Sequence, residues 1–92
     1  MAENQNQRRW DRLPVDIQVR VITFKGDETT VVRGRGTEMS EGGMMLYAGL
    51  LLNPGDTLEI EFDTPVPSRI PAVVRSKNGF CFGLEFLAPL PA

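Results

Sequence analysis

Apolar and polar residues alternate along most of the chain after Pro14. The clearest run is Leu58, Ile60 and Phe62, which are separated by acidic residues. Because successive side chains of a strand point to opposite faces, this period of two predicts strands that bury one face. Six strands are predicted on this basis, at residues 15–21, 29–38, 44–47, 58–63, 70–76 and 80–86.

Turn-forming residues separate these runs. Gly26-Asp27 and residues 53–56 (Asn-Pro-Gly-Asp) are typical of turns, and residues 64–68 contain two prolines and predict a loop. Asn78-Gly79 is typical of a two-residue hairpin turn, because both positions tolerate a positive φ.

Six short strands joined by turns predict an all-β fold, either a closed antiparallel barrel or a sandwich, and closure would remove the exposed edges. Gly34 and Gly36 in the second strand predict a bulge or a close backbone approach. Little or no helix is expected, at most one turn near residues 48–52. The predicted organisation is a flexible N-terminal arm at residues 1–13, a β-domain at 14–88 and a short tail at 89–92.

The composition of the chain excludes several classes of function. The chain of 92 residues is long enough for one domain, and its net charge of −2 argues against a nucleic-acid coat protein. It contains no histidine and one cysteine, Cys81, which excludes a Cys/His nucleophile, a Cys/His zinc site and an intramolecular disulfide. We therefore expect a binding module that is not an enzyme and needs no cofactor or metal.

The sequence also bears on location. The first residues are polar and do not resemble a signal peptide, and no run approaches the roughly 18 apolar residues of a membrane span. A cytoplasmic protein without a membrane span is expected.

Two segments carry groups suited to an anionic ligand. Residues 8–12 (Arg-Arg-Trp-Asp-Arg) place Arg8, Arg9 and Arg12 before the first strand, and guanidinium groups match phosphate oxygens in pairs. A solvated basic tail explains the same residues. Residues 38–43 (Glu-Met-Ser-Glu-Gly-Gly) offer a carboxylate, a hydroxyl and flexible backbone at a strand end, although a plain turn also explains them.

The two segments together resemble the motifs of the PilZ domain family. One is Arg-x-x-x-Arg from Arg8 to Arg12, and the other is the acidic-x-Ser-x-x-Gly pattern formed by Glu38, Ser40 and Gly43. Residues 72–75 (Ala-Val-Val-Arg) and 83–86 (Gly-Leu-Glu-Phe) are similar to the last two strands of that family. The resemblance runs from Arg8 to Leu87.

The resemblance implies a six-stranded antiparallel barrel in a bacterial signalling protein that binds cyclic di-GMP. It implies that Arg8 and Arg12 grip the ligand with support from Arg9, and that Glu38 and Ser40 bind it while Gly43 keeps the surface clear. Arg75 is a further possible contact. The hypothesis is that ligand binding orders the arm, and that a protein partner, not identifiable from the sequence, recognises the result.

Three alternatives remain. The family usually has Asp or Asn where this chain has Glu38, which favours a second interpretation as an interaction module of the same fold without the nucleotide. A single-stranded nucleic-acid binder would need exposed aromatic residues in a basic groove. Here Phe80, Phe82 and Phe86 alternate in the sixth strand and are predicted to face inward, and the net charge is negative, which disfavours this alternative. An enzyme is disfavoured by the missing histidines.

Overall fold

The computed structural model describes residues 13–63 and 66–90. Within these ranges the chain forms six strands and no helix. The strands are β1 (Leu13–Lys25), β2 (Glu28–Met39), β3 (Gly43–Ala48), β4 (Thr57–Phe62), β5 (Ser68–Asn78) and β6 (Cys81–Phe86).

The strands close into an antiparallel barrel in the order β1-β2-β3-β6-β5-β4. This confirms the predicted all-β class and decides between the barrel and the sandwich. The longest ladder joins β1 and β2, from Leu13 opposite Met39 to Lys25 opposite Glu28. β2 contains the predicted irregularity, a register shift between Gly36 and Glu38 where it pairs with β3.

The barrel interior is filled by alternate residues of all six strands. The most deeply buried large side chains are Phe82, Leu46, Ile60, Val21 and Val74. Removing an aliphatic or aromatic side chain of this size from water stabilises the fold by about 1.5–3 kcal/mol. No charged or polar side chain is buried among the described residues, so the barrel holds its shape by apolar packing.

One predicted boundary is wrong. The hairpin between the last two strands turns at Gly79-Phe80 and not at Asn78-Gly79, because Asn78 still pairs with Cys81. Gly79 takes a φ of +64° at the first position of the two-residue turn, where glycine is favoured. Phe80 therefore lies in the turn and is 55% exposed, whereas the sequence pattern placed it on the inward face of the sixth strand.

Ion pairs between charged side chains connect the outer faces of β1, β4 and β5. The Arg20 guanidinium donates to Glu61 at 2.7 Å and to Asp63 at 2.7 Å. Arg69 approaches Glu59 and Glu61 more loosely, at 3.5 and 3.4 Å. The acidic residues of β4, predicted to form a solvated face, thus lie outside as expected and also form ion pairs.

Candidate ligand-binding surface

The turn between β2 and β3 is built by Ser40. Its backbone N–H donates to the carbonyl of Gly43 at 2.9 Å, and its Oγ accepts from the N–H of Gly42 at 3.2 Å. A serine oxygen that binds the backbone two residues ahead is a known turn-forming device. The Gly42 carbonyl in turn accepts from the N–H of Phe86 at 2.8 Å, which fixes the turn to β6.

Gly43 begins β3 at a very close approach to β6. A Cβ at this position would overlap the carbonyl oxygen of Leu84, which belongs to the backbone and cannot move aside cheaply. Glycine is therefore required here by the packing of two strands. The clear surface that the resemblance assigned to Gly43 has a structural cause in addition to any role in binding.

Glu38 lies exposed on β2, immediately after the register shift. Its Cα partner on β3 is Met45, and the partner of Met45 on β6 is Gly83. This row of residues crosses the outer face of the barrel next to the Ser40 turn. The Ser76 hydroxyl and the Met45 sulfur lie over Gly83, so Met45 and Ser76 form the surface beside Glu38 in this row.

The N-terminal segment joins the barrel at the same end. Leu13, the first described residue, lies opposite Met39, and Pro14 lies opposite Glu38. Arg8, Arg9 and Arg12, together with Trp10, fall outside the described residues, so their contacts stay predictions. Their point of attachment to the barrel is nevertheless one strand away from Ser40.

Arg75 lies on the outer face of β5 and already forms an ion pair. Its Nε donates to Glu85 at 2.6 Å, and Glu85 is the Cα partner of Gly43. The structure thus brings Arg75 close to the Ser40 turn through Glu85. A ligand that recruited this guanidinium would have to share it with, or take it from, that carboxylate.

A shallow groove of about 480 Å³ lies further along the same outer face, towards the opposite end of the barrel. Arg33 and Arg35 of β2 line it together with Gln18, Tyr47 and Phe80. Arg33 and Arg35 both lie on the outer face of β2, and no pattern in the sequence indicated that two aromatic residues lie beside them. Their exposure follows from the outward phase of Tyr47 on β3 and from the displaced Gly79-Phe80 turn.

The surroundings of Tyr47 in this groove raise its pKa. Its hydrogen bond with Cys81 raises the pKa of the phenol, and the nearby negative charge of Glu38 and partial burial act in the same direction. Cys81 is a free cysteine in the same row across β3 and β6. Tyr47 therefore stays neutral and able to donate a hydrogen bond across the physiological pH range.

The described part of the chain holds no group of three or more acidic, cysteine or histidine side chains arranged to bind a metal ion. In that same part there is no helix long and apolar enough to cross a membrane.

A family model, described as the PilZ domain, matches residues 6–92 of this sequence. The chain belongs to the PilZ domain family. The match includes the segment with the three arginines as well as the whole barrel. Among curated proteins, no sequence match was found.

Solved PilZ domains share the fold. A PilZ domain of CeSA from a cellulose-synthesizing bacterium superposes with a TM-score of 0.68 at 18% identity, covering 85% of this chain and 81% of that one. The PilZ domain of YcgR from Escherichia coli, solved with c-di-GMP, superposes with a TM-score of 0.65 at 17% identity, covering 88% and 78%. At such identities these likenesses establish a shared PilZ barrel.

Proposed function

We propose that this PilZ domain is a receptor for cyclic di-GMP, which it binds between the arginines of residues 8–12 and the surface formed by Glu38, Ser40 and Gly43. The observation that carries the proposal is the pairing of Leu13 with Met39, which joins the arginine segment to the barrel beside that surface. The YcgR domain solved with c-di-GMP shows that a barrel of this family accepts the ligand.

The surface suits a planar, polar ligand. The Glu38 carboxylate can accept from the two N–H donors on a guanine edge, and the Ser40 Oγ has acceptor capacity beyond its bond to Gly42.

Phosphate binding would fall to the arm. Arg8 lies five residues before Leu13, and an extended chain spans at most about 3.3–3.6 Å per residue, so all three arginines have Leu13 within roughly 18 Å. Guanidinium groups bind phosphate oxygens in a bidentate manner that supplies both affinity and orientation.

The proposed mechanism is binding alone, without a reaction. Charge-assisted hydrogen bonds to the two phosphates offset the entropy lost when the arm becomes ordered on the barrel. The surface changed in this way is what a partner protein would recognise. Amide exchange of residues 8–13 tests the step: saturating ligand should slow it, and unchanged exchange would rule out the ordering.

Calorimetric titration with cyclic di-GMP tests the receptor proposal. The full chain should release heat on binding, and both Arg12→Ala and Ser40→Ala should weaken or abolish it. Arg69→Ala, which removes a guanidinium from β5 away from the turn, is the matched control and should bind like the parent. Absence of heat in the parent, or equal binding by all four proteins, would contradict the proposal.

The second candidate is an interaction module that does not bind the nucleotide. Glu38 favours it, because its extra methylene relative to Asp or Asn displaces the carboxylate by about 1 Å, a shift that degrades a positioned site. A Glu38→Asp variant separates the two functions: gain of binding by this variant alone would mean that the natural chain acts through proteins.

A further inference from the structure

The hairpin of β1 and β2 extends past the rest of the barrel. β1 pairs with β4 only at Arg20–Ile22, and β2 pairs with β3 only from Gly34 onwards. In the described part of the chain, no strand pairs with residues 28–33 of β2 on the side away from β1. This six-residue stretch is called the β2 edge below.

The β2 edge offers its backbone to a further strand. Lys25 and Glu28 flank the two-residue turn at Gly26-Asp27, and in such hairpins the flanking residues exchange hydrogen bonds with each other. The alternation along an antiparallel pair then directs the N–H and C=O groups of Thr29, Val31 and Arg33 away from β1.

The edge lacks the usual protection against pairing. Natural edges are blunted by proline, by lysine or by an irregular backbone. The β2 edge instead contains four consecutive β-branched residues, 29–32 (Thr-Thr-Val-Val), and is exposed except at Val32. Val31 is 55% exposed and Phe24, on the same face of the hairpin, is 53% exposed.

Charge along the edge is self-complementary. Asp27 and Glu28 lie at one end and Arg33 lies at the other, and Arg33 has no ion-pair partner among the residues the structure describes. A strand with acid at one end and base at the other matches a copy of itself that runs antiparallel. A parallel copy would bring like charges together, which is destabilising.

We propose that the β2 edge is a self-association surface, on which two copies of the chain pair antiparallel about a two-fold axis perpendicular to the sheet. Such an axis keeps like faces together, so residues opposite each other share a face. Centring the axis on Thr30 places Asp27 of one copy opposite Arg33 of the other, and Thr29 opposite Val31.

The groove beside the edge fits this arrangement. It lies where β2 meets β3 and is lined by Arg33, Arg35, Tyr47 and Phe80. In the proposed register Asp27 of the second copy lies against Arg33, next to the end of β3 at Ala48 and at the mouth of that groove. The Asp27 carboxylate would then meet the Arg33 guanidinium beside the exposed aromatic rings.

The proposed dimer is independent of nucleotide binding. Val31 and Ser40 are separated by most of β2, roughly 25–30 Å at about 3.3 Å per residue. Pairing about this two-fold axis uses the β2 edge of both copies, so the assembly closes at two copies. An interface built on six-residue edges is small, and the association should be weak and visible only at high concentration.

Sedimentation equilibrium of the full chain, from about 10 μM to about 1 mM, tests the proposal. The weight-average mass should rise towards twice that of one chain. Val31→Lys should raise the dissociation constant at least about tenfold, because the two introduced lysines lie diagonally across the axis on the same face and repel each other. Val66→Lys, at another exposed valine, is the matched control and should dimerise like the parent.

A pair of charge-reversal variants tests the antiparallel register. Asp27→Lys combined with Glu28→Lys makes both ends of the edge basic, and Arg33→Glu makes both ends acidic. Each variant alone should be monomeric, and an equimolar mixture should form a heterodimer. A monomeric parent at the highest concentration, equal loss of dimer in Val31→Lys and Val66→Lys, or a mixture that stays monomeric would overturn the proposal.

Discussion

Individual positions of the Glu38–Gly43 segment serve the fold as well as the proposed ligand. Ser40 holds the turn through Gly42, and Gly43 permits β3 to approach the Leu84 carbonyl. A loss of binding on mutation therefore has two possible causes, a missing ligand contact or a distorted turn. Stability measured in the absence of ligand separates them.

Replacing Gly43 with alanine tests the structural contribution. The new methyl group would overlap the backbone of β6, and forcing an extra carbon into a packed site costs about 1–3 kcal/mol. We expect the urea midpoint to fall by a corresponding amount with the slope unchanged. Gly49→Ala, where a Cβ would meet nothing within 4 Å, is the control and should leave the midpoint nearly unchanged.

A result in which Gly43→Ala is as stable as the parent would mean that β3 and β6 can separate without cost. In that case the glycine at this position would have to be explained by ligand binding alone.

The sequence pattern predicted which side chains are buried better than it predicted which side chains are exposed. Phe82 was predicted to face inward and is fully buried, whereas Phe80, two residues earlier with the same phase, is 55% exposed. Alternation cannot distinguish them, because Phe80 lies in the turn, and the position of the turn depends on where Gly79 takes a positive φ. For the same reason, the alternation did not predict that Phe80 lines the groove.

At the level of strands, every predicted element exists, but β1 (Leu13–Lys25) is longer than the predicted 15–21 and β5 (Ser68–Asn78) is longer than the predicted 70–76. β1 reaches Lys25 and β2 begins at Glu28, whereas alternation ended the first strand at residue 21. The alternation stops because Val21 and Ile22 are both buried on opposite faces, whereas residues 23–25 project beyond the barrel, where neither face is fully buried. Periodicity detects half-buried strands, and a projecting hairpin lacks that asymmetry.

Ion pairs across β1, β4 and β5 predict how stability depends on pH. Hydrogen bonding by Arg20 lowers the pKa of Glu61 below its ordinary value of 4.5. A carboxyl with a lowered pKa in the folded state contributes stability above pH 4.5, and that contribution is lost as the pH falls through the folded-state value. We expect the melting temperature to decrease as the pH is lowered below about 4.5.

Glu61→Gln should reduce this acid sensitivity while leaving the protein folded at neutral pH, since the side chain is on the outer face. The measurement is the melting temperature between about pH 2 and pH 7 for the parent and the variant. Glu41→Gln, in the exposed turn after β2, is the control and should follow the parent curve. Parallel curves for the parent and Glu61→Gln would show that the Arg20 contact contributes nothing to acid stability.

At the scale of the whole molecule, the all-β class followed from the strand count and the turn spacing, and the closed barrel was what the resemblance to the PilZ domain family implied. The surface did not follow in the same way. The Arg75–Glu85 pair, the groove at Tyr47 and the unpaired β2 edge depend on which strands become neighbours, as β3 and β6 do. These features join residues that are far apart in the sequence, so no local sequence pattern predicts them.

Ligand binding should also stabilise the whole fold. A ligand that binds only the folded state at about 100 times its dissociation constant adds roughly 2.7 kcal/mol to the free energy of unfolding. For a domain of this size, each kcal/mol raises the melting temperature by about 4–8 °C, so cyclic di-GMP should raise it by roughly 10–20 °C. Arg12→Ala should show little or no shift.

Cyclic di-AMP is the matched ligand control, because it carries the same two phosphates without the guanine edge that Glu38 would recognise. An equal shift with both ligands would mean that the arginines bind phosphate without selecting the base, and the role proposed for Glu38 would be wrong. A shift with cyclic di-GMP alone, lost in Arg12→Ala and retained in Val31→Lys, would place ligand binding and self-association at opposite ends of β2.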